Sequence, residues 1–158
     1  MDISFKKNLK CTDKEIILNW NDIDKLIECI CRKIKIKLEN VLKEYEIIAI
    51  TNGGIIPATI ISYSLGINII NLFPIINKKI IHEKMPFFDK TKRYLLIDEI
   101  YDTGKTFKKT SRCLKLINHL DIFLVKRYNT NSSNNQIYGK ILDDHRWVVF
   151  PWEKTVIN

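Results

Sequence analysis

The sequence predicts an α/β domain in which a mostly parallel sheet is flanked by helices. Three observations carry this expectation. Short runs are apolar throughout instead of alternating, segments of helical length separate them, and glycine-rich or acidic turns mark the junctions. The 158 residues, 46% hydrophobic and 28% charged, suit one domain, 1–158, with a sizeable core. That composition excludes a disordered tail, and no internal repeat indicates a solenoid.

Taken in order, Ile23, Leu26, Ile27, Ile30, Ile34 and Leu38 recur every three or four positions, while Lys25, Glu28, Lys33 and Lys37 fill the other faces. This predicts an amphipathic helix over 22–38 with Asn21 as its N-cap and Asp24 in its first turn. Residues 46–50 read as a strand that Thr51-Asn52-Gly53-Gly54 stops, and 55–65, ended by Gly66, as a second helix. Strands are expected at 67–76, 93–97 and 121–125, with a helix at 103–118. Residues 77–92 are polar, basic and broken by Pro86, too long for an ordinary connection and of the length of a lid. The polar run 129–136 predicts a surface turn between strands.

Lys+Arg number 26 against 18 Asp+Glu, a formal charge of +8 that favours anionic partners without separating polymers from small phosphorylated ligands. Cysteines stand at 11, 29, 31 and 113, and the CxC at Cys29 and Cys31 on a helix turns the two thiols apart. That spacing matches no ordinary zinc knuckle, and a reduced protein is expected. His82, His119 and His145 have no ligand spacing. The first twenty residues hold no apolar segment long enough for a signal peptide or membrane span, which places the protein in the cytoplasm.

The chemistry concentrates in residues 94–106, where the apolar strand Tyr94-Leu95-Leu96-Ile97 runs into Asp98 and Glu99, then Asp102, then Thr103-Gly104-Lys105-Thr106 opening a helix. Backbone N–H groups at a helix N-terminus, unobstructed at glycine, form an anion cradle to which threonine hydroxyls add donors. Acids at a strand's carboxyl end accept from ribose hydroxyls or hold Mg2+. Carboxylates beside a phosphate repel it unless a cation or sugar lies between, so the combination points to a ribose phosphate with magnesium. A Walker loop is excluded, because the glycine it needs five positions before Gly104 is Glu99.

This segment resembles the phosphoribosyl pyrophosphate (PRPP) signature of type I phosphoribosyltransferases. Residues 47–58, an apolar strand followed by Thr51-Asn52-Gly53-Gly54, resemble the family's first strand and pyrophosphate loop. Trp147-Val148-Val149-Phe150-Pro151-Trp152-Glu153 resembles the purine-binding end of the xanthine-guanine and hypoxanthine branch. The resemblance implies a type I phosphoribosyltransferase-like fold with a small hood built from the two termini, its purine-binding elements near 126–153, and a mobile lid near 77–92.

The resemblance also implies roles. Asp98 and Glu99 match the acids that contact the ribose hydroxyls directly or through Mg2+. Asp102 matches the acid near purine N7, beside the 5'-phosphate cradle of Thr103, Gly104, Lys105 and Thr106. Thr51, Asn52 and Gly53 match the pyrophosphate loop, where relatives often have a non-proline cis peptide. Lys126 matches the donor to the purine O6, Trp147 the stacking aromatic, and Val148 the backbone that reads the ring edge. The implied activity is salvage of a 6-oxopurine with PRPP, by a homodimer or homotetramer with no specific nucleic-acid partner.

Two departures stand out. Asn52 replaces the arginine frequent in xanthine-guanine enzymes, with Lys78, Lys79 or Lys84 as substitutes, and Glu99 replaces an aspartate. Lys90 and Lys92 extend the basic lid, whereas Lys25, Lys33, Lys35 and Lys37 read as a solvated face. Two other readings share the motifs: a PRPP-sensing regulator that binds nucleic acid, and a transferase for another base such as a pyrimidine.

Overall fold

The structure, a computed structural model, describes residues 10–128 and 135–153. Five strands, β3 (Tyr45–Ile50), β4 (Ile70–Phe73), β7 (Arg93–Tyr101), β8 (Asn118–Arg127) and β9 (Gln136–Leu142), form one sheet in the order β4-β3-β7-β8-β9. Every adjacent pair is parallel. Helices α1 (Trp20–Leu38) and α2 (Ile55–Leu65) cover one face, where Ile47, Ala49, Leu95, Ile97, Ile122 and Ile137 meet Ile23, Ile30, Ile34 and Ile61. The other face carries Ile48, Ile50 and Leu96 against Phe73, Phe88 and Leu114, with Phe107 of α3 (Lys105–Cys113) packed beside them.

With both faces covered, four consecutive residues are buried in each of β3 (Ile47–Ile50) and β7 (Tyr94–Ile97), which is why these strands show no polar alternation there. Each isoleucine fully withdrawn from water contributes roughly 1.5–3 kcal/mol.

A second sheet joins the two ends of the described chain. The hairpin of β1 (Lys10–Cys11) and β2 (Glu15–Ile17) is antiparallel, and β10 (Trp147–Val149) runs parallel to β2 on its open side. This is the hood. A 3-10 turn at Pro151–Glu153 follows it. No helix among the described residues is long and apolar enough to cross a membrane.

Several boundaries differ from expectation for identifiable reasons. Helix α1 begins at Trp20, because Asn19 and not Asn21 is the cap. The Asn19 side chain accepts the Asp22 N–H at 3.0 Å while the Asp22 carboxylate accepts the Asn19 N–H at 2.9 Å, a reciprocal box. The expected strand 67–76 is two strands, β4 and β5 (Ile75–Ile76), interrupted at Pro74, which has no N–H to give a ladder. Helix α3 starts at Lys105, after Gly104 at φ +72°, and ends at Cys113, with a turn closed by the Ile117 N–H on Leu114 O at 2.8 Å. Strand β8 therefore begins at Asn118, paired with Arg93.

Residues 77–92 contain more structure than a bare loop. Strands β5 and β6 (Lys79–Ile80) form a hairpin whose turn residues Asn77 and Lys78 both have positive φ, 49° and 62°. Further on, Phe88 is buried against Phe73 and Tyr94. Most of the expected turn at 129–136 lies outside the described residues, and Gln136 already belongs to β9. Cys29, Cys31 and Cys113 are free, and burial pushes the Cys31 thiol pKa up.

The capping box yields a direct test. Asn19→Ala should cost about 1 kcal/mol of stability in urea denaturation. Asn21→Ala, at an exposed position, should stay within about 0.5 kcal/mol of the parent. The reverse order would reinstate Asn21 as the cap.

Candidate active site

The chain leaves β3 toward β4 on one side and returns as β7 on the other, so a crevice opens at the carboxyl ends of β3 and β7. A cleft of about 510 Å³ occupies this place. Thr51, Asn52, Gly53, Asp98, Glu99, Asp102, Thr103, Gly104, Lys105, Thr106 and Trp147 all line it, together with Asn77 and Lys78 of the hairpin turn.

One wall is the turn after β3. Its Thr51–Asn52 peptide is cis. The Thr51 hydroxyl accepts the Ile75 N–H at 2.8 Å and lies 3.0 Å from Ile75 O, so it fastens the turn to β5 and leaves main chain to face a ligand. The Gly54 N–H closes on Ile50 O at 2.8 Å. A Cβ on Gly54 would stand 2.3 Å from Ile97 O, main chain that cannot give way, and one on Gly53 would stand 2.5 Å from the Glu99 carboxyl carbon and displace that side chain.

The opposite wall is the end of β7 and the start of α3. Gly104 turns the chain into the helix, and a Cβ there would meet the Tyr101 hydroxyl at 2.6 Å. The first helical hydrogen bond is from the Lys108 N–H to Gly104 O, at 2.9 Å, so the N–H groups of Lys105, Thr106 and Phe107 have no intrahelical acceptor. They sit at the positive end of the helix and suit an anion.

The acid pair lies between these walls. Desolvation raises the Asp98 pKa to about 8, against the Glu99 N–H that its carboxylate accepts at 2.9 Å. Desolvation also raises Glu99, to about 7, against the Trp152 indole N–H donated to Oε2 at 3.1 Å. Each carboxyl keeps an oxygen outside these bonds. Two desolvated carboxyls beside an anion cradle form a donor set that fits Mg2+, which takes one or two carboxylates plus phosphate oxygens. No cluster of three or more His, Cys, Asp or Glu is present among the described residues.

At the mouth, Trp147 is 63% exposed. Its N–H bonds Lys14 O at 2.9 Å and Val149 O accepts the Leu18 N–H at 2.9 Å, so residues 147 and 149 turn their main chain toward β2. By the alternation of a strand, Val148 presents its N–H and C=O to the open edge of the hood, while its side chain is buried.

Lys126 and Lys92 make their contacts away from the cleft lining. Lys126 does not line the cleft: it is fully buried, its Nζ donating to Gln136 Oε1 at 3.2 Å and standing 5.5 Å from the Tyr101 ring and 5.4 Å from the Tyr138 ring. Burial lowers its pKa, and two aromatic faces replace the water it has left. Lys92 is likewise away from the cleft, its Nζ on Glu46 at 2.7 Å near the start of β3. Among the lysines read as solvated, Lys33 donates to Tyr138 O at 2.7 Å.

Sequence reasoning also missed residues. Arg127 is buried, and its Nε donates to Asp102 Oδ1 at 2.6 Å. The only available signal was a second cation at the end of an apolar strand. Trp152 lay inside a quoted motif, yet nothing in the sequence connects it with Glu99.

No family model matches the chain. It is 22% identical over 158 aligned positions to a xanthine-guanine phosphoribosyltransferase of Chromohalobacter salexigens, covering 90% of this chain and 86% of that protein. A xanthine-guanine phosphoribosyltransferase of Desulfotalea psychrophila is 29% identical over 120 positions, 68% of this chain and 69% of that one. In structure, the chain superposes on a purine phosphoribosyltransferase from Pyrococcus horikoshii with a TM-score of 0.69 and 25% identity, over 92% of this chain and 98% of that one.

The acid pair makes stability depend on pH. Both folded pKa values lie above the roughly 4 of an unfolded carboxyl, so the folded state holds the extra protons, and stability falls as pH rises through about 7 to 8. The ligand-free protein should have a lower urea midpoint at pH 9 than at pH 6, and Asp98→Asn should flatten that slope. An unchanged slope in the variant would show that Asp98 is not its source.

Proposed function

We propose that this chain is a type I phosphoribosyltransferase of the purine branch and transfers the 5-phosphoribosyl group from PRPP to a 6-oxopurine, xanthine, guanine or hypoxanthine, a reading supported by its similarity to xanthine-guanine and purine phosphoribosyltransferases. The products are the nucleoside 5'-monophosphate and pyrophosphate. The observation that carries this reading is one cleft bounded by two anion-accepting turns, with an acid pair between them and an aromatic ring at the mouth.

In this reading the leaving pyrophosphate lies on the main chain of residues 51–53 and the 5'-phosphate on the helix start at residues 103–106. Asp98 and Glu99 hold the ribose hydroxyls and would hold Mg2+, which supplies charge neutralisation for the departing pyrophosphate. The purine stacks on Trp147 and is read at its edge by the Val148 main chain. Lys126 is the donor to the purine O6 in this reading, and it reaches the base by exchanging its bond to Gln136 Oε1.

As the C1'–oxygen bond to pyrophosphate breaks, purine N9 bonds C1' from the opposite face, and the proton the base sheds passes to Asp102. The transition state resembles a ribosyl oxocarbenium ion, so the protein contributes orientation and charge stabilisation more than covalent chemistry. Residues 77–92 serve as the lid, with Lys78 supplying positive charge near the pyrophosphate.

Incubation with PRPP, Mg2+ and each purine in turn should give nucleotide from a 6-oxopurine and none from adenine. Absence of product with every purine would overturn the reading. Asp102→Asn should lower kcat by about 10²- to 10⁴-fold with little change in the KM for PRPP. Trp147→Ala should raise the purine KM by roughly 5- to 150-fold, the worth of about 1–3 kcal/mol of base stacking.

A further inference from the structure

Arg127 joins three parts of the molecule that the sequence keeps apart. It ends β8 and is buried, with 10% of its side chain exposed against 45% for Asp102. Its Nε donates to Asp102 Oδ1 at 2.6 Å. Its Nη1 donates to two carbonyl oxygens of the segment leading into β10, those of Asp144 and of Arg146, the latter at 3.1 Å.

That segment is stiffened in turn. The Asp144 carboxylate accepts from Arg146 Nε at 3.0 Å, and the Arg146 guanidinium reaches Thr12 O in the β1–β2 hairpin at 3.2 Å. Trp147 is the next residue. One guanidinium therefore ties the acid after β7 to the backbone that carries the aromatic ring.

We infer that Arg127 is a positioning residue that sets Asp102 and Trp147 in register, so that a base stacked on the ring presents its acidic edge to the carboxylate. The inference rests on the purine-transfer reading above. A guanidinium is suited to this task, because its rigid fork of donors fixes several acceptors at once, which a lysine ammonium on a flexible stem does not. With Oδ1 held by Arg127, the Asp102 carboxylate cannot rotate freely and its Oδ2 is the oxygen left for the substrate. The aromatic and the acid come from different sheets, so without such a tie their separation would vary with every movement of the hood.

The test compares Arg127→Met and Arg127→Lys with the parent, using guanosine 5'-monophosphate and ribose 5-phosphate as calorimetric probes. Arg127→Met should weaken the nucleotide roughly tenfold and leave ribose 5-phosphate within about twofold, since only the former carries a base that reaches Trp147 and the hood. It should lower kcat by about 10- to 100-fold, and Arg127→Lys should recover part of that loss through Asp102 while the nucleotide remains weakened.

Placed on an Asp102→Asn background, Arg127→Met should lower kcat no further. An equal kcat loss on both backgrounds, or affinities for the two probes that fall together, would mean that Arg127 merely supports the fold and would overturn the inference. Failure of the transfer reading shows separately, as absence of product with every purine in the parent protein.

Discussion

The site depends on how closely the turn after β3 approaches the end of β7. Gly54 lies where any side chain would strike the Ile97 carbonyl, and Gly53 where one would strike the Glu99 carboxyl. Because both lack a Cβ, the turn after β3 packs main chain to main chain at Ile97 and main chain to side chain at Glu99. The same contact desolvates Asp98 and Glu99. In the proposed reading the phosphate and sugar contacts thus share one packing constraint, set where the winding of the sheet reverses.

The hood is held to this core by side chains more than by sheet. Trp152 stacks on Phe150 with centroids 4.9 Å apart and lies 5.9 Å from Trp20 at the start of α1, so its indole is fixed before it reaches Glu99. Arg127 makes the second connection, at Asp102. The two acids with the most specific chemical duties each receive one donor fixed by packing elsewhere, and the hood bears on both. Trp152 and Arg127 thus link the segments on either side of β10 to Glu99 and to Asp102.

Much of this was legible, and the reasons differ by element. The strands were visible because both faces are buried and isoleucine fills both. The cleft residues after β3 and β7 were visible because their glycine, threonine and acid types stand at fixed local spacing, within one turn of each strand end. Trp147 was reached by its place in a motif. The surroundings of Lys126 were not legible, because its ring contacts are to Tyr101 and Tyr138, which the sequence keeps apart from it. Arg127 and Trp152 were missed for the same reason: their partners are 25 and 53 residues away, Asp102 and Glu99. Asn19 is a different case, since the Asn-x-x-Asp pattern of the box was present in the sequence and the apolar periodicity drew the boundary past it.

The acid pair also explains why so much of the chain is committed to an isoleucine core. A desolvated carboxyl ionises at a cost of about 1.4 kcal/mol for each pH unit by which its pKa is raised, and two such groups side by side draw on a domain whose whole margin is roughly 5–15 kcal/mol. In the proposed reading a ribose or a cation offsets that cost by giving the ionised carboxylates something to bind. Covering both faces of the sheet with aliphatic side chains supplies stability that does not depend on pH or ligand. The site can therefore keep its acids poorly solvated, and selective for a partner that replaces the lost water, without unfolding the strands that carry them.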